Sequence, residues 1–265
     1  MRTSPVSLSS QAVQFREGAP TVRLGLIALS TDLTSEGDLF RQVPGKGVAI
    51  HVTRVAFDNP TTPENLRKMG PRITAAAQLL VPVQPLSAIC YSCTSASVVI
   101  GDAEITASLQ GVLGKVPVVT PTGAARTAFS ALGVTRIAVL TPYTVPTSKP
   151  MAAYFSWHGL DVTRFDCLGL EDDRDMAQVS DRTMINAAIA ADTPDAEAVF
   201  ISCTALPVID VIREIEKCIG KPVVTSNQAS AWAMSRLAGF DDYKPAEYGR
   251  LFEHHLPGHS FGGAA

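Results

Sequence analysis

The 265-residue chain contains no run of roughly twenty apolar residues, the length needed to span a bilayer. Its first twenty residues (MRTSPVSLSSQAVQFREGAP) are polar and lack the apolar core of a secretion signal, so the sequence reads as cytoplasmic with no membrane partner. No basic run stands out and the formal net charge is −3, which leaves no electrostatic footprint for nucleic acid. Five cysteines is an odd number, and the one C-x-x-C spacing, Cys90–Cys93, has no second such pair to match it, which argues against a disulfide framework and a zinc ribbon. His254, His255 and His259 cluster near the end without a recognisable ligand spacing, so no metal site is expected. There is no G-x-G-x-x-G after the first apolar run, which reads GLIALSTD, and no Walker A sequence. The sequence therefore predicts an enzyme with no cofactor. At 46% hydrophobic and 18% charged residues, its composition is that of an ordinary soluble globular enzyme.

What the chain does contain is an internal repeat. Short β-branched runs alternate with longer helical stretches, the pattern of βαβ units and a parallel sheet. Strands are expected at 23–29, 49–55, 86–92 and 116–120, then again at 136–141, 161–166, 198–202 and 222–225. RLGLIAL matches RIAVLTP, and AICYSCTSASVVI matches AVFISCTALPVIDVI. GKVPVVTPTGAARTAFSALG likewise matches GKPVVTSNQASAWAMSRLAG. The matches keep their order and lie about 110 positions apart, the last pair slightly closer. This predicts an α/β fold of two similar lobes, each a parallel-sheet α/β sandwich, with the active site in the cleft between them. The expected division is an extension at 1–20, a first lobe from 21–119 plus 226–250, a second from 120–225, and a tail at 251–265.

Ligands of open parallel sheets bind beyond the carboxyl ends of the strands, and the two S-C-T triplets fall there. Each triplet follows an apolar strand and is expected to open an amphipathic helix, at 95–113 and 205–219. A thiol at a strand-to-helix junction lies near free backbone N–H groups and the positive helix end, so Cys93 and Cys203 are expected to favour thiolate. The same N–H groups, with the hydroxyls of Thr94, Ser95 and Thr204, suit a carboxylate or a developing enolate. Two thiols across a cleft could act on opposite faces of one carbon, one removing a proton and the other supplying it. The alternative is that both are packing cysteines, since free cysteine is among the most buried residue types. Cys90, Cys167 and Cys218 lack this placement and read as structural.

On these residues the chain resembles the aspartate/glutamate racemase superfamily, through the paired C-T motifs, the PVVT segments and TPY at 141–143. Within it, the resemblance is to the branch containing maleate cis–trans isomerase and arylmalonate decarboxylase. The stretches LIALSTDLTSE, VTRVAFDNPTTPENLR, LTPYTVPTSKPMAAYF, LGLEDDRDMA and VVTSNQASAW are closer still to the ectoine-utilisation protein A group. The resemblance implies Cys93 and Cys203 as the catalytic pair, with Thr94, Ser95 and Tyr143 binding substrate carboxylate oxygens. It also implies a homodimer or higher homo-oligomer. In arylmalonate decarboxylase the first position is not cysteine, so Cys93 marks a departure. A second departure is Asp32, which stands where maleate isomerase-like sequences carry asparagine; Asp173 aligns with another such asparagine. Ionised aspartate only accepts hydrogen bonds, which suits an ammonium or amide N–H rather than a second carboxylate. The expected substrate is thus a small carboxylate bearing nitrogen, such as an amino acid or N-acylated diamino acid. Alternatively, Asp32 caps the following helix and Asp173 is merely solvated.

The leading reading is a cofactor-independent racemase or isomerase. A maleate-type isomerase or arylmalonate-type decarboxylase on the same scaffold is the first rival. A small-molecule binding protein without turnover is the second.

Overall fold

The computed structural model describes residues 6–15, 22–81 and 84–258. Eight strands form two four-stranded sheets in which every pairing is parallel. The first holds β1 (Val22–Leu29), β2 (Val48–Val55), β3 (Ala88–Tyr91) and β4 (Val118–Val119) in the order β2-β1-β3-β4. The second holds β5 (Arg136–Tyr143), β6 (Asp161–Leu170), β7 (Ala198–Ile201) and β8 (Val223–Thr225) in the order β6-β5-β7-β8. The second order is the first repeated, as the sequence repeat requires. Among the described residues no helix is long and apolar enough to cross a membrane.

Helices cover both faces of each sheet, which is why the central strands read as nearly continuous apolar runs. In β3 the alternation is visible. Ala88 and Cys90 join the larger core, whereas Ile89 and Tyr91 face a second core with Leu66, Met69, Ile73 and Leu109. Cys90 is thus a packing residue. The larger core is centred on Phe200, whose ring meets Phe129 at 5.9 Å and Phe155 at 5.3 Å in edge-to-face contacts.

Two helices tie the lobes together. Helix Pro121–Leu132 follows β4 yet contributes Ala124, Ala125, Ala128 and Phe129 to the core around Phe200. Helix Ser226–Leu237 follows β8 yet packs on β3 and on helix Ser35–Gln42 of the first lobe, and against helix Pro121–Leu132. It is rich in alanine and serine and is buried from Ser226 to Arg236. Its start carries a capping box in which Thr225 Oγ1 accepts from Gln228 N and Gln228 Oε1 accepts from Thr225 N, both at 3.1 Å.

Several expected elements differ in extent. β4 is only two residues long, and β6 runs on to Leu170. The helix expected over 95–113 is two helices, Thr94–Ile100 and Asp102–Leu113, broken at Gly101. Gly101 has φ +102°, a conformation open to a residue without Cβ. The helix expected over 205–219 begins only at Ile212. Pro207 explains this, because it lacks an N–H and disfavours helical geometry at the residue before it.

Phe200→Ala removes the ring on which the larger core converges and is expected to cost about 3–5 kcal/mol. Urea unfolding of variant and parent measures it; a loss below about 1 kcal/mol would show that this core repacks freely.

Candidate active site

The two triplets leave their sheets in the same register. Ser92 N donates to Ile27 O at 2.8 Å at the end of β3, and Ser202 N donates to Leu140 O at 2.9 Å at the end of β7. Beyond that point they diverge. Cys93 has φ −152° and is the N-cap of helix Thr94–Ile100. Cys203 has φ +128° and opens an irregular segment, so the positive helix end expected behind it is missing.

The structure brings together all eight residues expected at the site, and none is more than 5% exposed. Cys93 Sγ lies 3.7 Å from Ser95 Oγ. The Tyr143 hydroxyl lies beside Ser95 and the Cys203 thiol, near enough for each to influence its ionisation. Two hydroxyls therefore lie between the two thiols. Cys203 Sγ also accepts from Ala205 N at 3.3 Å and lies 4.0 Å from Met176 Sδ.

The expected thiolates are not found. Burial pushes the Cys93 thiol up to about 12 and the Cys203 thiol higher, despite hydrogen bonds to each that favour the ion. The charges these thiols feel, Asp173 at both and Asp32 at Cys93, are anionic and raise them further. Placement beside N–H groups does not compensate for removal from water, so both thiols keep their protons in this buried site. Burial also raises Tyr143 well above the ordinary phenol value.

The other residues divide between the site and its frame. Thr94 Oγ1 donates to Ser226 Oγ at 2.8 Å, and Thr204 Oγ1 donates to Ser92 O at 3.2 Å, so both hydroxyls are engaged between the lobes. Asp32 Oδ1 accepts from Thr34 N and Ser35 N, each at 2.8 Å, while Oδ2 accepts from Ser35 Oγ at 2.5 Å. This carboxylate secures the start of helix Ser35–Gln42. Asp173 is different: Thr31 Oγ1 donates to its Oδ2 at 2.7 Å, and burial, with Asp32 and Asp172 nearby, raises it to about 6. Behind the site, Asp38 accepts from Asn227 Nδ2 at 2.7 Å and is pushed up to about 7, chiefly by burial. Thr31, Asp38, Ser226 and Asn227 carry no motif of their own; only the SN that follows the second PVVT segment hints at the last two. Cys167 lies in β6, accepting from Thr141 Oγ1 at 3.7 Å, and Cys218 is exposed on helix Ile212–Ile219. Among the described residues, no three His, Cys, Asp or Glu side chains converge as a metal site.

The family model for arylmalonate decarboxylase matches residues 56–252. The arylmalonate decarboxylase of Bordetella bronchiseptica is 32% identical over 154 residues, which are 57% of this chain and 64% of that protein. The match thus spans just under two thirds of that relative. The maleate isomerase of Nocardia farcinica is 25% identical over 225 residues, 81% of this chain and 89% of that protein. A crystal structure of the Nocardia farcinica maleate cis–trans isomerase, a Cys-to-Ser variant with a covalently bound succinylcysteine intermediate, superimposes with a TM-score of 0.78. It covers 87% of this chain and 98% of that one at 22% identity, a likeness of fold.

The raised carboxyls have a consequence for stability. Asp38 and Asp173 keep their protons up to about 7 and about 6, whereas the ordinary value is 3.8. Between these limits the folded protein holds protons that the unfolded chain has released, so stability is full below pH 3.8 and falls as pH rises through 6 and 7. Asp38→Asn keeps an acceptor for Asn227 without a charge to desolvate. It is expected to reduce that fall by about 2 kcal/mol in urea unfolding compared at about pH 4 and about pH 8. An unchanged fall would mean that Asp38 ionises normally.

Proposed function

The chain belongs to the arylmalonate decarboxylase family, and we propose that it is a cofactor-independent isomerase in which Cys93 and Cys203 act on a small carboxylate. The observation that carries this reading is the buried cluster of Cys93, Ser95, Tyr143 and Cys203, which sets two thiols from different lobes around two hydroxyls. A bound carboxylate can take the place of the Ser95–Tyr143 contact and accept from both hydroxyls. The thiols then face the adjacent carbons, and Cys93 distinguishes this site from that of the decarboxylase.

Two reactions fit such a site, and the relatives support the first. In a maleate-type cis–trans isomerisation, one sulfur adds to an alkene carbon, forming a C–S bond, as its S–H proton passes to a substrate carboxylate oxygen. The electron pair of the double bond moves onto the neighbouring carbon and its carboxylate. Rotation about the resulting single bond, expulsion of the sulfur and return of the proton to it give the trans acid. The second thiol and Tyr143 steady the charge that develops.

Asp173 favours the second reading, in which the substrate also bears nitrogen. It is buried, it lies close enough to raise both thiols, and among the described residues its carboxyl accepts a hydrogen bond from Thr31 alone. An ammonium or amide N–H would offset that charge, whereas a second carboxylate would add to it. Asp32 is the weaker contributor because helix Ser35–Gln42 already occupies its oxygens. For an amino acid or N-acylated diamino acid, one sulfur first loses its proton to solvent as the substrate binds. That thiolate takes the α-proton and the other thiol returns one from the opposite face, exchanging thiol and thiolate. The resemblance to the ectoine-utilisation protein A group points to the same substrate class.

The readings separate in deuterated solvent, with maleate, an aryl-substituted malonate and a panel of amino and N-acylamino acids followed by NMR. Maleate converting to fumarate without deuterium supports addition and elimination. α-Deuteration with loss of optical activity supports proton exchange, and release of CO₂ supports the decarboxylase alternative. For the substrate that turns over, Cys93→Ser and Cys203→Ser are each expected to lower kcat by about a hundredfold or more. Parent rates in both variants would defeat the two-thiol reading. Asp173→Asn is expected to weaken turnover of nitrogen-bearing substrates by about tenfold while sparing dicarboxylates.

A further inference from the structure

We propose that Ser226 is a positioning residue for Cys203, holding its main chain in the positive-φ conformation that directs the thiol into the site. Cys203 is one of two non-glycine residues with positive φ among those described, at +128°. Side chains rarely adopt this conformation, and it persists only where the surroundings impose it. Here the surroundings are explicit, because segment 203–205 has no helix of its own to satisfy its main chain. Cys203 N donates to Ser226 Oγ at 3.0 Å. Thr204 O accepts from Asn227 Nδ2 at 2.9 Å, and Ala205 O accepts from Thr34 Oγ1 at 2.7 Å. Asn227 is itself fixed by Asp38.

Ser226 is the centre of this cradle. It is fully buried, it begins helix Ser226–Leu237, and its oxygen receives both the Cys203 N–H and the Thr94 hydroxyl. The two triplets therefore meet at one atom, which no reading of either triplet alone would find. With the Cys203 main chain so held, its sulfur receives the Ala205 N–H and lies beside the Tyr143 hydroxyl. Removing the Ser226 hydroxyl leaves the Cys203 N–H buried without an acceptor. Rotation of Cys203 toward negative φ relieves both that loss and the backbone strain, and carries the sulfur away from Tyr143. Cys93 is held separately: its carbonyl accepts from Ser97 N at 3.0 Å and Ser97 Oγ at 2.7 Å within its own helix.

The test is the rate at which iodoacetamide labels each cysteine in the full-length protein, resolved by peptide mass spectrometry. Ser226→Ala is expected to speed labelling of Cys203 by about fivefold or more, with Cys93 held within about twofold. Ser226→Thr, which keeps the hydroxyl, is expected to restore the parent rate. The proposal is overturned if Cys203 labels in Ser226→Ala as in the parent, or if Ser226→Thr labels as fast as Ser226→Ala. It is also overturned if both cysteines accelerate together with a lowered Tm, the mark of general loosening. The catalytic consequence rests on Cys203 being a reacting thiol: kcat should fall by about tenfold in Ser226→Ala with KM within about threefold. A parent-like kcat beside selective labelling of Cys203 would overturn that reading of the chemistry and leave the positioning role intact.

Discussion

The meeting of the carboxyl ends of two parallel sheets removes a set of polar groups from water, and the ionisation of the site follows from that. Desolvation is the largest influence on Cys93, Cys203, Asp32, Asp173 and Tyr143 alike. It keeps the thiols protonated and lifts the carboxyls, even where hydrogen bonds favour the charged forms. On the proposed chemistry, reactivity then depends on which hydroxyls and charges a bound substrate brings to the sulfurs. The same low-dielectric setting strengthens every hydrogen bond made to a ligand once it is enclosed.

The fold reaches this closed arrangement by duplication followed by local divergence. Both triplets end their strands in one register, but one continues into a helix and the other does not. Pro207 stops the second helix from starting, and the resulting free segment is held by groups from elsewhere in the chain. Helix Ser226–Leu237 is central to this, because it extends from the second sheet onto the first lobe and brings Ser226 and Asn227 between the triplets. The asymmetry matters for function. Two identical thiols would be interchangeable, whereas a helix-capping Cys93 and a strained, cradled Cys203 present different faces to a substrate.

Much of the fold was legible in the residues. Apolar runs separated by helical stretches identify parallel strands, because strands covered on both faces need no polar alternation. The three matched segments implied the duplication and, through it, the cysteine pair. Element ends were less legible. Gly101 and Pro207 broke helices that periodicity alone would have continued. The protonation states are not legible, because helix-end placement is visible in a motif whereas burial is not.

Sequence by itself determined which residues lie near the ends of the strands, since apolar runs followed by S-C-T recur in each half. The repeated triplets thereby pick out Cys93, Cys203 and Ser95, and the family resemblance adds Tyr143. Only the tertiary structure decided what those residues meet. That Asp32 serves a helix while Asp173 stays near the thiols depends on contacts between segments about 140 positions apart, such as Thr31 with Asp173. That Ser226 joins both triplets depends on where a distant helix comes to rest. Hydrogen bonds across such separations leave no local pattern, because they are fixed by packing of whole elements rather than by the residues beside them.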